Sequence, residues 1–162
     1  MPRGPLGTPP YAGVPGHTLY SDVIGLVLPG VGGRQYIITM IDSCTRMAMA
    51  KAVKRITSHA VLSVCREWRA LHGPFKVLVL DNASYNRGRS LVSELKRDGV
   101  EIIYLPPYRH EAMGLVERFN STLEDRIRRL KLARGGSWTR WVQPAVEVYN
   151  STWHDIAEVV PK

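Results

Sequence analysis

The chain has 162 residues, of which 44% are hydrophobic, and a formal net charge of +8. This length suits one ordinary domain, and no run approaches the roughly 18 uninterrupted apolar residues of a membrane-spanning helix. We therefore expect a folded domain with no membrane segment and, from the positive charge, a polyanionic partner such as nucleic acid. No secretory signal is visible, and Cys44 and Cys65 are too far apart for a Cys-x-x-Cys zinc site. We interpret both as reduced thiols in an intracellular protein.

Residues 1–16 differ from the rest in composition. They hold five of the eleven prolines and four of the fourteen glycines, and little apolar surface. This composition predicts a flexible linker over residues 1–16, followed by a single folded domain over residues 17–162.

Three short apolar segments open the core: "TLYSDVIG", "RQYIITMID" and "RMAMAKAV". Glycine-rich and Asp-Ser turns separate them, which predicts three antiparallel strands joined by hairpins. Next, "TSHAVLSVCREWRALHG" has apolar residues at helical spacing. Thr57 or Ser58 is the expected N-cap and Gly73 the expected C-cap.

The second half alternates strands and helices. "FKVLVLD" is continuously apolar, as in a central strand covered on both faces. A helix over "RSLVSELKRDG" should end at Gly99, and "VEIIYLPP" predicts a fifth strand. The long segment "GLVERFNSTLEDRIRRLKL" predicts an amphipathic helix, and the last one predicts a helix with a kink or restart at Pro144. The element order indicates an α/β layer architecture.

Three acidic residues occupy positions that a mixed sheet could bring together. Asp22 lies in the first strand, Asp81 ends the fourth, and Glu117 is near the start of the long helix. Singly, each has an ordinary explanation: Asp81 suits a turn, Asp22 a strand edge, and Glu117 a helix N-terminus. Their joint occurrence, with 35 residues between Asp81 and Glu117, favours a functional site.

The motifs around these residues carry a family resemblance. The D,D(35)E spacing, "LVERFN" around Glu117 and the late "YNS" resemble the catalytic core of retroviral and LTR-retrotransposon integrases, from about His17 to the C-terminus. The resemblance implies a ribonuclease H-like fold: a five-stranded mixed sheet, three antiparallel strands then parallel ones, flanked by helices. It also implies that Asp22, Asp81 and Glu117 are the catalytic, metal-binding carboxylates. Gly114 and Asn120 match the family's Gly before the helix and Asn after the Glu.

Carboxylates packed together repel one another unless a cation neutralises them. Hard oxygen ligands select Mg²⁺ or Mn²⁺, and two such ions can support an in-line displacement at phosphorus. We therefore expect Mg²⁺ or Mn²⁺ as cofactor, with two ions at the site.

Some positions depart from the family pattern. Ala83 replaces the usual Gly after Asp-Asn, which questions the freedom of that turn. Ser121 and Glu124 replace residues that are often basic. The predicted DNA-binding residues therefore lie at other positions, on the long helix or just before it. They are Asn120, Arg109, Arg118, Arg126 and Arg128.

Three functional hypotheses follow. The first is a DDE polynucleotidyl transferase, an integrase core that trims DNA 3′ ends and joins them to target DNA. It implies DNA as partner, a homo-oligomer, action in the nucleus, and an isolated core without the family's other domains. The second is a domesticated or decayed module that binds DNA or protein without catalysis. The third, a ribonuclease H proper, is disfavoured by the 35-residue spacing and the "VERFN" helix.

Overall fold

The computed structural model describes residues 13–25, 31–106 and 113–159. The prediction for residues 1–12 therefore lies outside the described residues, and so does that for Arg109. Residues 13–16 form a turn that packs on the segment around Asp42 and Cys44, where the Gly16 N–H donates to Asp42 Oδ2 at 2.8 Å. None of the helices in these ranges is long and apolar enough to cross a bilayer.

Five strands and four α-helices follow the predicted order. They are β1 Thr18–Gly25, β2 Tyr36–Asp42, β3 Ala48–Val53, α1 Ser58–His72, β4 Val77–Asp81, α2 Arg89–Arg97, β5 Glu101–Leu105, α3 Gly114–Arg134 and α4 Val142–Val159. Short 3₁₀ turns cover Val31–Gly33, Ser84–Arg87 and Trp138–Trp141.

The strands form one mixed sheet in the order β3-β2-β1-β4-β5. The pairs β3–β2 and β2–β1 are antiparallel, whereas β1–β4 and β4–β5 are parallel. Strand β1 is central, so its residues are shielded by a strand on either side. The predicted architecture, an α/β protein with a five-stranded mixed sheet of three antiparallel strands and then parallel ones, is confirmed.

Helices cover both faces of this sheet. On one face α3 and α4 pack against Tyr20, Ile24 and Val79; on the other α1 and α2 pack against Leu19 and Leu78. The continuous apolar run of β4 is explained because alternate residues point to opposite buried faces. Burying each large side chain contributes about 1.5–3 kcal/mol, so the two cores supply most of the stability.

The predicted ends of α1 are confirmed. Thr57 has extended backbone angles, and its hydroxyl accepts the Ala60 N–H at 3.0 Å, which satisfies one of the free donors of the first turn. Gly73 ends the helix with φ +91°, a conformation that favours glycine.

Helix α4 packs along β3, which is one of the two edge strands of the sheet. Asn150 exchanges two hydrogen bonds with the Ala48 backbone, at 2.9 and 3.0 Å, and Gln143 Nε2 donates to the Ala50 carbonyl at 2.7 Å. These side chains occupy backbone groups that an edge strand would otherwise expose. The helix begins at Val142, two residues before the predicted restart at Pro144. Pro144 is tolerated because it lies in the first turn, where a backbone N–H would have no partner within the helix.

Candidate functional site

Asp22 lies in the middle of the sheet, where helix α3 crosses the central strand. Its carboxylate is half-buried, and Oδ2 accepts a 3.0 Å hydrogen bond from Asn120 Nδ2. Asn120 is on α3 and is only 7% exposed. The amide thus fixes the position of a carboxylate 98 residues away in sequence.

The three predicted acidic residues are electrostatically coupled. Burial is the main cause that raises the pKa of Asp22, opposed by a hydrogen bond from the Val23 backbone. The charges of Asp81 and Glu117 raise it further, while the Asn120 hydrogen bond lowers it. Strand β1 pairs with β4, and Asn120, one turn after Glu117, binds Asp22, so the fold brings together β1, β4 and the start of α3.

Asp81 ends β4 and is held by the loop that follows. Its Oδ1 accepts hydrogen bonds from the Ala83 N–H at 3.1 Å and from Asn86 Nδ2 at 2.8 Å. Asn86 is 3% exposed, and Tyr104 donates its hydroxyl proton to the Asn86 carbonyl at 2.7 Å. Asp81 therefore has the turn-forming role of an ordinary strand end and is also held in a fixed orientation.

Ala83 causes no strain in this loop. Its φ of −79° and ψ of 150° are extended angles that any residue adopts, so the turn does not need the family's usual glycine. The close approach occurs instead at Gly88, where an added Cβ would lie 1.8 Å from Ser58 Oγ. Ser58 donates to the Tyr85 carbonyl and joins the loop to α1.

Glu117 approaches the site from the first turn of α3 and is exposed. Within the described ranges, no three His, Cys, Asp or Glu side chains form a ready-made metal cluster. The donor chemistry nevertheless fits a hard divalent cation, because all three side chains offer carboxylate oxygens. Asn120 Oδ1 is in addition buried with no hydrogen-bond partner among the described residues. Asp22, Asp81 and Glu117 are thus the residues that could hold Mg²⁺ or Mn²⁺.

An open groove of about 730 Å³ begins at two of these carboxylates. We call it the carboxylate groove; its lining includes Asp22, Tyr36, Lys54, Arg55, Asp81 and Tyr85. Burial, together with the charges of Asp81 and Asp22, raises the pKa of Tyr85 to about 12. The Tyr85 hydroxyl is therefore protonated at neutral pH.

A second groove of about 680 Å³ runs along α3. We call it the α3 groove; its lining includes Glu117, Glu124, Asp125, Arg126, Arg128 and Arg129. Asp125 lies 3.0 Å from Arg129 and 4.0 Å from Arg128. Arg126 and Arg128 are thus in this groove, and Asn120 at its inner end binds Asp22. The DNA contacts predicted for Asn120, Arg118, Arg126 and Arg128 stay predictions.

Sequence reasoning did not single out Asn86, Lys54 or Arg55. A polar residue five positions after Asp81 was a weak signal for Asn86, because only the fold shows that its amide is buried against the carboxylate. Lys54 and Arg55 follow a strand end, an ordinary place for solvated cations.

Comparison with known proteins identifies the same class of domain. A family model described as DDE superfamily endonuclease matches residues 23–135, more than half of the chain and including Asp81 and Glu117. The Pol polyprotein of the Drosophila melanogaster transposon gypsy is 27% identical over 96% of the chain, and that of transposon 412 is 25% identical over 81%. The chain spans only 15% and 11% of the length of these two relatives.

Solved structures share the fold. The simian T-cell lymphotropic virus intasome has a chain with a TM-score of 0.75 and 20% identity, covering 94% of this chain and 52% of its own. The HTLV-2 integrase catalytic core domain, solved with magnesium in a dimeric form, gives a TM-score of 0.70 and 16% identity, covering 83% and 86%. The predicted resemblance to integrase catalytic cores is confirmed at the level of family and fold.

Proposed function

Because the chain belongs to the DDE superfamily endonuclease family, we propose that it is an integrase catalytic core that cuts and joins DNA by divalent-metal-dependent phosphoryl transfer. The observation that carries this proposal is geometric: Asp22 and Asp81 line one groove, and Asn120, one turn after Glu117 on α3, binds the Asp22 carboxylate. Outside metal or phosphate chemistry, such a cluster of like charges only destabilises the fold.

Each residue has a defined part in this proposal. Asp22, Asp81 and Glu117 hold Mg²⁺ or Mn²⁺, and the chemistry supplied by two such ions is activation of the attacking oxygen and stabilisation of the leaving one. Asn120 keeps the Asp22 carboxylate in one orientation, and Asn86 does the same for Asp81. Such supporting groups commonly change metal affinity or activity 10- to 100-fold, because they orient the ligands.

The reaction has two successive displacements. In 3′-end processing, water attacks a phosphodiester phosphorus and the 3′ oxygen leaves with a proton. In strand transfer, that 3′ hydroxyl attacks a phosphorus of target DNA and displaces the target's own 3′ oxygen. DNA ends and target DNA are the proposed partners, a homo-oligomer the proposed assembly, and the nucleus the proposed place of action.

Two glutamates of α3 provide a matched test. Glu117 and Glu124 are seven residues apart on one helix face and both line the α3 groove. With Mn²⁺ and a branched DNA substrate, we expect wild-type protein and Glu124→Gln to release the joined strand and Glu117→Gln to be inactive. Equal activity of Glu117→Gln and wild type would remove Glu117 from the site.

The absence of a ready-made three-residue cluster in the described ranges supports one alternative, a module that binds DNA or protein without catalysis. The two functions differ in their response to metal. A decayed module would bind DNA equally with EDTA or Mn²⁺, and Glu117→Gln would leave that binding unchanged.

A further inference from the structure

Two cations of the carboxylate groove, Lys54 and Arg55, form no direct ion pair among the described residues. Lys54 and Arg55 are exposed and lie between the end of β3 and Thr57, the N-cap of α1. Within the described ranges neither forms an ion pair, whereas Lys51 on the same strand contacts Glu67 at 2.9 Å and Ser63 at 3.0 Å. The charge of this pair is therefore available to a ligand in the groove.

The stem of Lys54 packs against the backbone of the connection that precedes β2. An added Cβ at Gly33 would lie 3.3 Å from Lys54 Cε, so the Lys54 stem lies across this glycine. The end of β3 is held by a 3.1 Å hydrogen bond from the Gln35 N–H to the Val53 carbonyl. The stem of Lys54 is thus restricted on one side by the backbone of Gly33 before any ligand binds, which reduces the side-chain entropy lost on binding.

The remaining lining suits a nucleotide chain. The rings of Tyr36 and Tyr85 are half-buried and line the groove beside the two cations. Aromatic rings interleaved with cations form the usual surface for a single strand, with bases on the rings and phosphates on the cations. A volume of about 730 Å³ is in the range of sites for ligands of nucleotide size.

We propose that the carboxylate groove holds the DNA strand next to the reacting phosphate, with Lys54 and Arg55 as substrate-positioning residues that bind its phosphates. This inference rests on the proposed function, because it places the reacting phosphate at Asp22 and Asp81. It makes the binding of that strand independent of base sequence, since phosphate contacts carry no sequence information.

Binding and turnover are measured separately to test this. Affinity for a fluorescein-labelled branched oligonucleotide is followed by anisotropy in Ca²⁺ over a series of salt concentrations, and KM and kcat are measured in Mn²⁺. Lys51→Ala is the matched control, because it lowers the net charge of +8 by one unit, as each test variant does. Lys54→Arg retains the charge.

For Lys54→Ala and Arg55→Ala, each removed phosphate contact should lower the slope of log affinity against log salt by about 0.7 to 0.9. We expect KM to rise about 5- to 20-fold with kcat nearly unchanged, and Lys51→Ala and Lys54→Arg to behave as wild type. The inference would be overturned if both test variants had the same salt slope and the same KM as Lys51→Ala, even if the protein is active. Lower slopes without any turnover would support the DNA groove and contradict the catalytic proposal.

Discussion

The carboxylate groove and the α3 groove contain similar residues but differ in how their charges are compensated. In the α3 groove, Asp125 is within 4.0 Å of both Arg128 and Arg129. In the carboxylate groove, Lys54 and Arg55 have no acidic partner among the described residues, and the acidic residues repel one another. The number of basic residues alone therefore does not locate a binding site, because Asp125 compensates part of the charge of the α3 groove.

The two grooves also differ in how their side chains are held. Asp22 and Asp81 lie on neighbouring strands, and each accepts a hydrogen bond from a buried amide. The arginines of the α3 groove lie on one helix surface, where Arg128 and Arg129 are exposed. Side chains with locked positions suit catalysis, and mobile surface cations suit weak, non-directional attraction.

The largest expected difference between the grooves is in activity. Asp22→Asn and Asp81→Asn should each lower strand-transfer activity in Mn²⁺ by on the order of 100-fold or more, because the metal ligands act as a unit. Asp125→Asn, the corresponding change in the α3 groove, should retain at least wild-type activity. The check is a gel assay of joined product; a fully active Asp81→Asn would remove that residue from the site.

The second comparison is between two asparagines of the loop after β4, the buried Asn86 and the exposed Asn82. Asn86→Ala should lower the free energy of unfolding by about 1–3 kcal/mol, because it removes a buried amide and leaves the Asp81 carboxylate without that partner. Asn82→Ala is the control, since Asn82 is exposed and its Oδ1 binds Arg87 at 2.8 Å. Urea unfolding measures both, and equal losses would show that burial at Asn86 has no special role.

The negative charge of Asp125, which neutralises part of the positive charge of Arg128 and Arg129, can be removed by mutation. Asp125→Asn frees Arg128 and Arg129, so DNA affinity in Ca²⁺ should rise about two- to fivefold and the salt slope should steepen by about 1. An unchanged affinity would mean that the α3 groove does not face DNA and that its arginines are only solvated.

The smallest expected effect concerns pH. The pKa of Asp22 is raised from 3.8 by burial above all, so the folded state holds its proton more tightly than the unfolded state does. Its contribution to the free energy of unfolding is fully present below pH 3.8 and is lost as pH rises through the raised pKa. In EDTA, Asp22→Asn should therefore gain stability relative to wild type as the pH rises above 3.8 and through the raised pKa. Parallel pH profiles of the two proteins would contradict this.

The sequence predicted features that depend on local pattern. Apolar periodicity located the strands and α3, and Thr57 and Gly73 marked the ends of α1. The catalytic roles that the spacing of Asp81 and Glu117 indicates stay predictions. Contacts between distant segments could not be predicted in this way. Asn86 meets Tyr104 and Ser58 meets Tyr85 only because β5 and α1 pack beside the loop.

Charge patterning gave a partial prediction. The arginines of α3 correctly indicated a strongly basic helix, yet Asp125 pairs with residues three and four positions later, a spacing that is visible in the sequence. The orientation of Lys54 was not visible, because it depends on Gly33, a residue of another connection, passing beneath its side chain.

Metal-dependent thermal stability tests the central claim most directly, namely that Asp22, Asp81 and Glu117 form a working site. An ion that binds only the folded state stabilises it by RT ln(1 + [L]/Kd), about 1.4 kcal/mol at ten times Kd, which raises the Tm of a domain of this size by about 3 to 6 °C. We expect this rise with Mn²⁺ in wild type and Asp125→Asn, and its loss in Asp81→Asn. An unmoved wild-type melting curve at about 10 mM Mn²⁺, or an equal rise in Asp81→Asn, would contradict the account.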